Sequence, residues 1–340
     1  MKKHFSLLLA AALFLTTIGT SFGQYSHAFL WDPVTGIEDL GTLGEDSLAM
    51  GVNDSGTVVG YYLTAGALTY RGFIWTASSG MVDIGLPGGE DGATTVDCYC
   101  TAINSAGHVV GYARQADGKQ VAFFWTPETG FTTIGYHSNS GDNGNTAYAI
   151  NDRDQVTGNL LVPHRPTYHA YIWSPTQGKA RDLGGINDSP YGSTAAGINN
   201  FSEIVGDFGN AGGYGPMLWK RNTGVQLLGE IAGATYTQTT GVNDAREIVG
   251  SYGTDTGTFS FYTAPGFGLK VLKDLGSAET YALAINQSGI IAGEAADASG
   301  IKYPVIWTTP SALPQKIASD GGGAFGINSL GQVVGFTYFQ

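Results

Sequence analysis

One short element recurs seven times along this chain, and it restricts the fold more than any other feature. It is Ile or Val, then Asn, then a tight turn and a strand-like run with an early Gly. Its asparagines are Asn53, Asn104, Asn151, Asn199, Asn243, Asn286 and Asn328, spaced 51, 47, 48, 44, 43 and 42 residues apart. A second element is an aromatic run ending in Trp, at Trp31, Trp75, Trp125, Trp173, Trp219 and Trp307, with a degenerate copy at Ser260-Phe261-Tyr262-Thr263. A third is Asp-Leu-Gly or a relative, at Asp39-Leu40-Gly41, Asp83-Ile84-Gly85, Asp182-Leu183-Gly184 and Asp274-Leu275-Gly276, with weaker copies ending at Gly135, Gly229 and Ala318.

Each unit thus holds four short apolar runs separated by Gly, Asn, Asp or Pro. Runs of five to seven residues bounded by such turn formers read as strands, not helices. Turns such as Asn53-Asp54-Ser55-Gly56 suit a tight connection, because Asn bonds its own backbone and Gly accepts positive φ. A repeat near 46 residues matches one four-stranded propeller blade and is far too long for a β-helix rung. The predicted fold is all-β: a seven-bladed β-propeller in a single domain, residues 24–340.

Side-chain size orders the strands. Before each Asn, alternate positions are small, as in Ser47/Ala49/Gly51, Cys98/Cys100/Ala102 and Gly322/Ala324/Gly326. Period two places each trio on one strand face, and so small a face belongs where blades crowd at the hub. That strand is innermost, the Val-Val-Gly strand second, the Trp strand third and the Asp-Leu-Gly strand outermost. The chain then enters at a third strand (His27–Trp31) and finishes at a second strand (Val333–Phe339). The last blade must combine C-terminal with N-terminal strands, a clasp that closes the ring and removes open sheet edges.

Lys2 and Lys3 head an uncharged apolar run, Phe5 to Leu15, followed by Ser21-Phe22-Gly23. This is the pattern of a secretory signal peptide, residues 1–23, removed on export; the run is too short to span a bilayer. The expected product is a secreted monomer, extracellular or periplasmic, without stable membrane insertion. Sixteen Lys plus Arg stand against 28 Asp plus Glu, a net charge of −12, which disfavours nucleic acid as a partner.

His27-Ala28-Phe29-Leu30-Trp31, Asp39-Leu40-Gly41-Thr42-Leu43-Gly44, Gly51-Val52-Asn53 and Val58-Val59-Gly60 resemble the bacterial extracellular repeats of the HAF family. The likeness extends over the whole exported chain and is best in the first unit. The leading His recurs only at His169; Arg71, Val121, Gly215, Phe259 and Tyr303 replace it elsewhere. The resemblance implies an exported bacterial repeat protein and brings no activity with it.

Candidate binding residues fall in the loops. The segments joining outermost to next innermost strands carry acid in every unit: Glu45 and Asp46, Glu90 and Asp91, Asp142, Asp188, Glu230, Glu279 and Asp320. Alternation of strand direction puts these loops on one face, together with the second-to-third-strand loops. Those bring Tyr61, Tyr62, Tyr70, Tyr112, His164, Arg165, Tyr168 and Tyr214. Such a face suits a cation or basic partner, a sugar ring or a peptide. Asp142-Asn143-Gly144-Asn145 is a fragment of calcium-loop chemistry and makes calcium the one cofactor suggested. Cys98 and Cys100 occupy small inner-strand positions, where buried free thiols are favoured over a strained bridge.

No nucleophile elbow, phosphate loop or His-Glu-x-x-His occurs. The sequence therefore points to a binding or interaction module for an extracellular carbohydrate, peptide or surface protein. The alternative is an extracellular propeller enzyme, a lyase or glycosidase acting on a polymer.

Overall fold

A computed structural model describes residues 25–88, 94–135, 144–161, 167–184, 192–210, 213–229, 231–266 and 268–339, the side chains of residues 210, 213 and 214 excepted. The signal-like segment lies outside these residues. Among the described residues twenty-eight strands, numbered in chain order, form seven four-stranded antiparallel units. The first complete meander is β3 (Ser47–Val52), β4 (Val58–Leu63), β5 (Tyr70–Thr76) and β6 (Gly80–Asp83). We number the blades from it. Blades 5 and 6 share one sheet through a single parallel bridge, Thr258 to Glu279. The architecture is a β-propeller.

The recurring Asn explains the assembly. Its Oδ1 accepts two backbone N–H groups of its own turn, as Asn53 does from Ser55 and Thr57 at 3.2 and 3.0 Å. Its Nδ2 donates to the carbonyl of the next blade's Asn: Asn53 to Asn104, Asn104 to Asn151, Asn151 to Asn199, and so on at 2.9–3.2 Å. The last link, Asn328 to the Asn53 carbonyl at 3.0 Å, joins residues 275 apart and closes the circle. Four of these turns carry Gly56, Gly107, Gly289 or Gly331 at positive φ; the other three hold Asp154, Ser202 and Arg246 there instead. Each of these three pairs with the preceding blade: Asp154 with Asn104 and His108, Ser202 with Gln155, and Arg246 with Glu203. Those contacts offset the cost of a left-handed non-glycine residue.

The expected clasp is present. β27 (Gly322–Ile327) and β28 (Val333–Tyr338) pair in one sheet with β1 (Ser26–Asp32) and β2 (Gly36–Gly41). Ser26 faces Tyr338 across the seam and Trp31 faces Val333.

Apolar packing divides as the topology requires: seven core clusters, each spanning one junction between neighbouring blades. Leu30 and Val334 of the clasp blade meet Val58, Phe73 and Trp75 of blade 1, and Val249 and Leu272 of blade 5 meet Ile291 and Trp307 of blade 6. Trp75, Trp173, Trp219 and Trp307 are buried in these junctions, so the Trp strand supplies packing between blades.

Two sequence expectations need correction. The small trios do not share one face. Every innermost strand carries a β-bulge between the trio's second and third members, as between Ala49 and Gly51 or Ala324 and Gly326. A bulge reverses the alternation. Ala49 therefore packs on the preceding blade, whereas a Cβ on Gly51 would press on Ala102 of the following one. Second, Asp274-Leu275-Gly276 is not an outermost strand. β22 (Lys270–Val271) fills that role, and Leu272, 4% exposed, makes the buried contact that Leu40 makes in its blade. Gly276 instead opens the next innermost strand, β23 (Gly276–Ile285).

Deletion of residues 25–41 should abolish soluble expression, because it strips two strands from the clasp; recovery of a folded, soluble truncation would contradict this. Asn199→Ala should lower unfolding free energy by about 2–4 kcal/mol in denaturant titration, since it breaks one link and strands two turn N–H groups.

Candidate binding face

Strand direction alternates, so the loops joining outermost to innermost strands emerge beside the ends of second strands. Backbone bonds tie them there: Glu45 N–H to Leu63 O at 2.8 Å, Ala116 N–H to Thr94 O at 2.9 Å and Thr235 N–H to Gly253 O at 2.8 Å. We call this the upper face; the Asn turns form the lower.

A belt of tyrosines crosses the upper part of blades 1 to 3. Tyr61 lies 5.7 Å from Tyr70 and 5.1 Å from Tyr99, ring centre to ring centre. Tyr70 lies 5.3 Å from Tyr99. Tyr99 stacks on Tyr112 at 4.8 Å, and Tyr112 meets Tyr148 edge-on at 6.5 Å. Such geometries are favourable aromatic contacts. Tyr168, within electrostatic reach of Tyr148, extends the run. Burial raises the phenol pKa of every member above its ordinary value, so the belt is neutral. Tyr61 is 5% exposed and supports the others from beneath, whereas Tyr70, Tyr99, Tyr112, Tyr148 and Tyr168 remain partly open.

The belt is built differently from the sequence expectation. Tyr61, Tyr62 and Tyr112 lie inside second strands rather than loops. Tyr62 is turned away, donating to Asp83 at 2.8 Å. Tyr99 and Tyr148 sit on innermost strands and were not among the predicted residues; Tyr148 is the bulge residue of its strand. A shallow hollow of about 330 Å³ lies beside Tyr168, bordered by Gly144 and the turn Asp117-Gly118-Lys119.

The acidic loop residues are less available than their pattern suggests. Asp46 accepts Ser26 N–H at 2.7 Å and Ser26 Oγ at 2.9 Å, pinning the first strand. Glu279 pairs with Lys302 at 2.7 Å. Glu45 and Asp320 are described; Glu90, Asp91, Asp142, Asn143, Asp188, Glu230, His164 and Arg165 lie outside the described residues, as does the side chain of Tyr214. Both ends of the Asn145 amide are engaged: its Oδ1 accepts Ala122 N–H at 2.9 Å and its Nδ2 donates to Ile134 O, tying blade 3 to blade 2. Among the described residues no group of three His, Cys, Asp or Glu side chains could hold a metal ion. Cys98 and Cys100 are free, buried thiols facing Gly72 of blade 1.

The described histidines serve structure. His27 pairs with Asp39 at 3.0 Å and His169 with Asp182 at 2.9 Å, each bridging third and fourth strands, while the Asp also receives the N–H of its own Gly. Arg71 and Asp83 repeat the pairing. His108 bonds Asp154 on the lower face.

A ring position emerges that the sequence concealed. The residue after each Val-Val-Gly-like run holds one ring position, and in blades 1 to 6 it meets the next blade's innermost strand. In blade order it is Tyr61, Tyr112, Asn159, Asp207, Ser251, Glu294 and Phe336. Asn159 Oδ1 accepts Ala195 N–H, Asp207 Oδ2 accepts Thr239 N–H, both at 2.9 Å, and Ser251 Oγ accepts Ala282 N–H at 3.2 Å. Asp207 is fully buried and also receives the hydroxyls of Thr237 and Thr239. Burial outweighs these bonds and pushes its pKa up to about 6.

No protein-family model and no curated protein matches the sequence. Solved structures do match in fold. A putative TolB from Agrobacterium tumefaciens is 10% identical, with 94% of this chain and 100% of that one covered at a TM-score of 0.53. TolB from Acinetobacter baumannii is 10% identical, with coverages of 84% and 80% and a TM-score of 0.50. An oligogalacturonate lyase solved with manganese is 9% identical, covering 86% and 88% at 0.50. Likeness at such identity concerns architecture alone. Among the described residues no helix is long and apolar enough to cross a membrane.

Asp207 should impose a pH dependence on stability. Its folded pKa lies above the unfolded one, so native protein holds this proton while unfolded chain releases it. Stability from this group is therefore full below about pH 4, falls as pH rises to about 6 and is flat beyond, a loss on the order of 2–3 kcal/mol. Asp207→Asn, which imitates Asn159, should remove that slope; unfolding titrations of both proteins at pH 4 and 7 check it.

Proposed function

We propose that this protein is a secreted binding module of the HAF-repeat type that captures an extracellular carbohydrate, peptide or surface protein on its upper face. The tyrosine belt carries this reading. Four partly open rings, Tyr70, Tyr99, Tyr112 and Tyr148, span three blades in continuous contact, all on strands. Phenol rings offer flat apolar area with a polar edge at low entropic cost, which suits stacking on sugars or on peptide side chains. The rigid framework holds the rings in place before a ligand arrives, which lowers the cost of association. The motif residues that prompted the HAF resemblance fit the same reading: His27 with Asp39 and His169 with Asp182 brace their blades.

Export is part of the proposal and rests on the basic head, apolar run and small-x-small sequence of residues 1–23. The alternative, an extracellular lyase or glycosidase, gains no support from the histidines, since the described ones are engaged away from the belt. Turnover assays on any captured polymer decide between the two.

A glycan and peptide array should yield a ligand for the exported chain. Tyr99→Ala should weaken that ligand at least about tenfold, while Tyr99→Phe should retain most of the affinity. Equal binding by wild type and Tyr99→Ala would remove the belt from the site.

A further inference from the structure

The hollow at the end of the tyrosine belt is lined differently from the belt itself. Its volume is about 330 Å³, and it is bordered by Tyr168, Gly144 and the run Asp117-Gly118-Lys119-Gln120. Tyr168 opens β13 (Tyr168–Trp173) of blade 3, whereas the run carries blade 2 from β8 (Val109–Gln115) into β9 (Gln120–Thr126). Small-molecule sites occupy about 300–1,000 Å³, so this one, at the small end, suits a single ring-sized group. Both walls are fixed before a ligand arrives. Asp117 Oδ1 accepts the Lys119 N–H at 3.0 Å, the Lys119 carbonyl accepts the Gln115 N–H at 2.8 Å, and the Gly118 N–H donates to the Gln115 carbonyl at 2.9 Å. On the other wall the Gly144 carbonyl accepts the Leu161 N–H at 3.1 Å. Gly118 and Gly144 have φ of 87° and 118°, where glycine alone is unstrained, and they add no side chain to the space.

The lining defines what it can recognise. The Lys119 ammonium lies 3.4 Å from Asp117 Oδ2, so the one cation and the one anion match each other. The Lys119 backbone N–H, helped by the ammonium, holds the Asp117 carboxyl below its usual range, and burial keeps the Tyr168 phenol neutral. The side chains therefore offer an acceptor in Asp117, donors in Lys119, and groups that do both in Gln120 and Tyr168. Among the described residues that border the hollow none is aliphatic. A charged ligand finds no unmatched countercharge here, and an aliphatic one finds no apolar wall. A sugar ring meets both conditions. Its hydroxyls donate and accept side by side, and its C–H face packs on an aromatic ring. The Lys119–Asp117 pair is largely exposed and its own bond is weak, so either partner can turn to a hydroxyl.

We infer that this hollow is the subsite for one neutral pyranose ring, with the rest of the glycan lying along Tyr148, Tyr112 and Tyr99. The inference rests on the belt reading above and deepens it by naming the ligand class, a neutral glycan. The path from hollow to belt is short: Tyr168 is within electrostatic reach of Tyr148, and Tyr148 meets Tyr112 edge-on at 6.5 Å. Walls held in place by hydrogen bonds lower the cost of binding so small a group.

The test titrates the full exported chain by NMR with the methyl glycosides of glucose, galactose, mannose, N-acetylglucosamine, xylose and fucose. Methyl glucuronide and a glycine–lysine–glycine tripeptide serve as charged counterparts. At least one neutral glycoside should bind saturably, and more tightly than either counterpart. Lys119→Ala and Tyr168→Ala should each weaken it at least about tenfold. Thermal melting verifies that both variants fold; Lys119 sits on an exposed turn, so that variant keeps the test decisive. No saturable binding of any neutral glycoside, equal affinity of wild type and either variant, or tighter binding of the tripeptide overturns the inference. The two readings fail separately. The belt reading is decided by Tyr99→Ala and the array ligand, the subsite by Lys119→Ala and the methyl glycosides. A protein that loses the glycoside on Lys119→Ala but keeps the array ligand on Tyr99→Ala has the subsite without the belt.

Discussion

A circle of seven amide-to-carbonyl hydrogen bonds, one from each recurring asparagine to the next, is the constraint on which the structure depends. Each Asn uses both ends of its amide. Oδ1 holds its own turn and Nδ2 holds the neighbouring blade. Aspartate could cap the turn but has no donor for the neighbour, and serine is too short to do both. One residue type therefore sets the shape of a turn and the distance between blades together. Because the circle closes on itself, no blade is terminal, and none needs the polar outer face that end repeats of an open array require.

The fold was legible because this constraint is periodic. Seven asparagines at nearly constant spacing, with Trp runs between them, specify strand count and strand order. What escaped has physical causes. The bulge in every innermost strand leaves no mark, since the bulged residues, among them Met50, Thr101, Tyr148, Ala196 and Leu283, share no chemistry. Asp274-Leu275-Gly276 copied the wording of an outermost strand, yet Leu272 had already taken the buried position. Motif letters can slide by three residues; a core contact cannot.

The site was legible only in outline. Acid-rich and tyrosine-rich segments converge on the upper face, which strand alternation alone dictates. Which of those side chains remain available depends on partners distant in sequence: Asp46 with Ser26, Glu279 with Lys302, Asn145 with Ala122. Tyr99 and Tyr148 join the belt from innermost strands, each meeting tyrosines of the preceding blade, a contact that no sequence spacing marks.

The clasp has a mechanical consequence. Ser26 and Tyr338 form the end rung of the β1–β28 seam, and both chain ends leave from it. Tension pulling those ends apart loads the seam one rung after another, as in a zipper, rather than all six paired positions at once. A tether or fused domain at either end would therefore transmit force to the seam before the Asn circle bears any of it, and this blade would be the first to part.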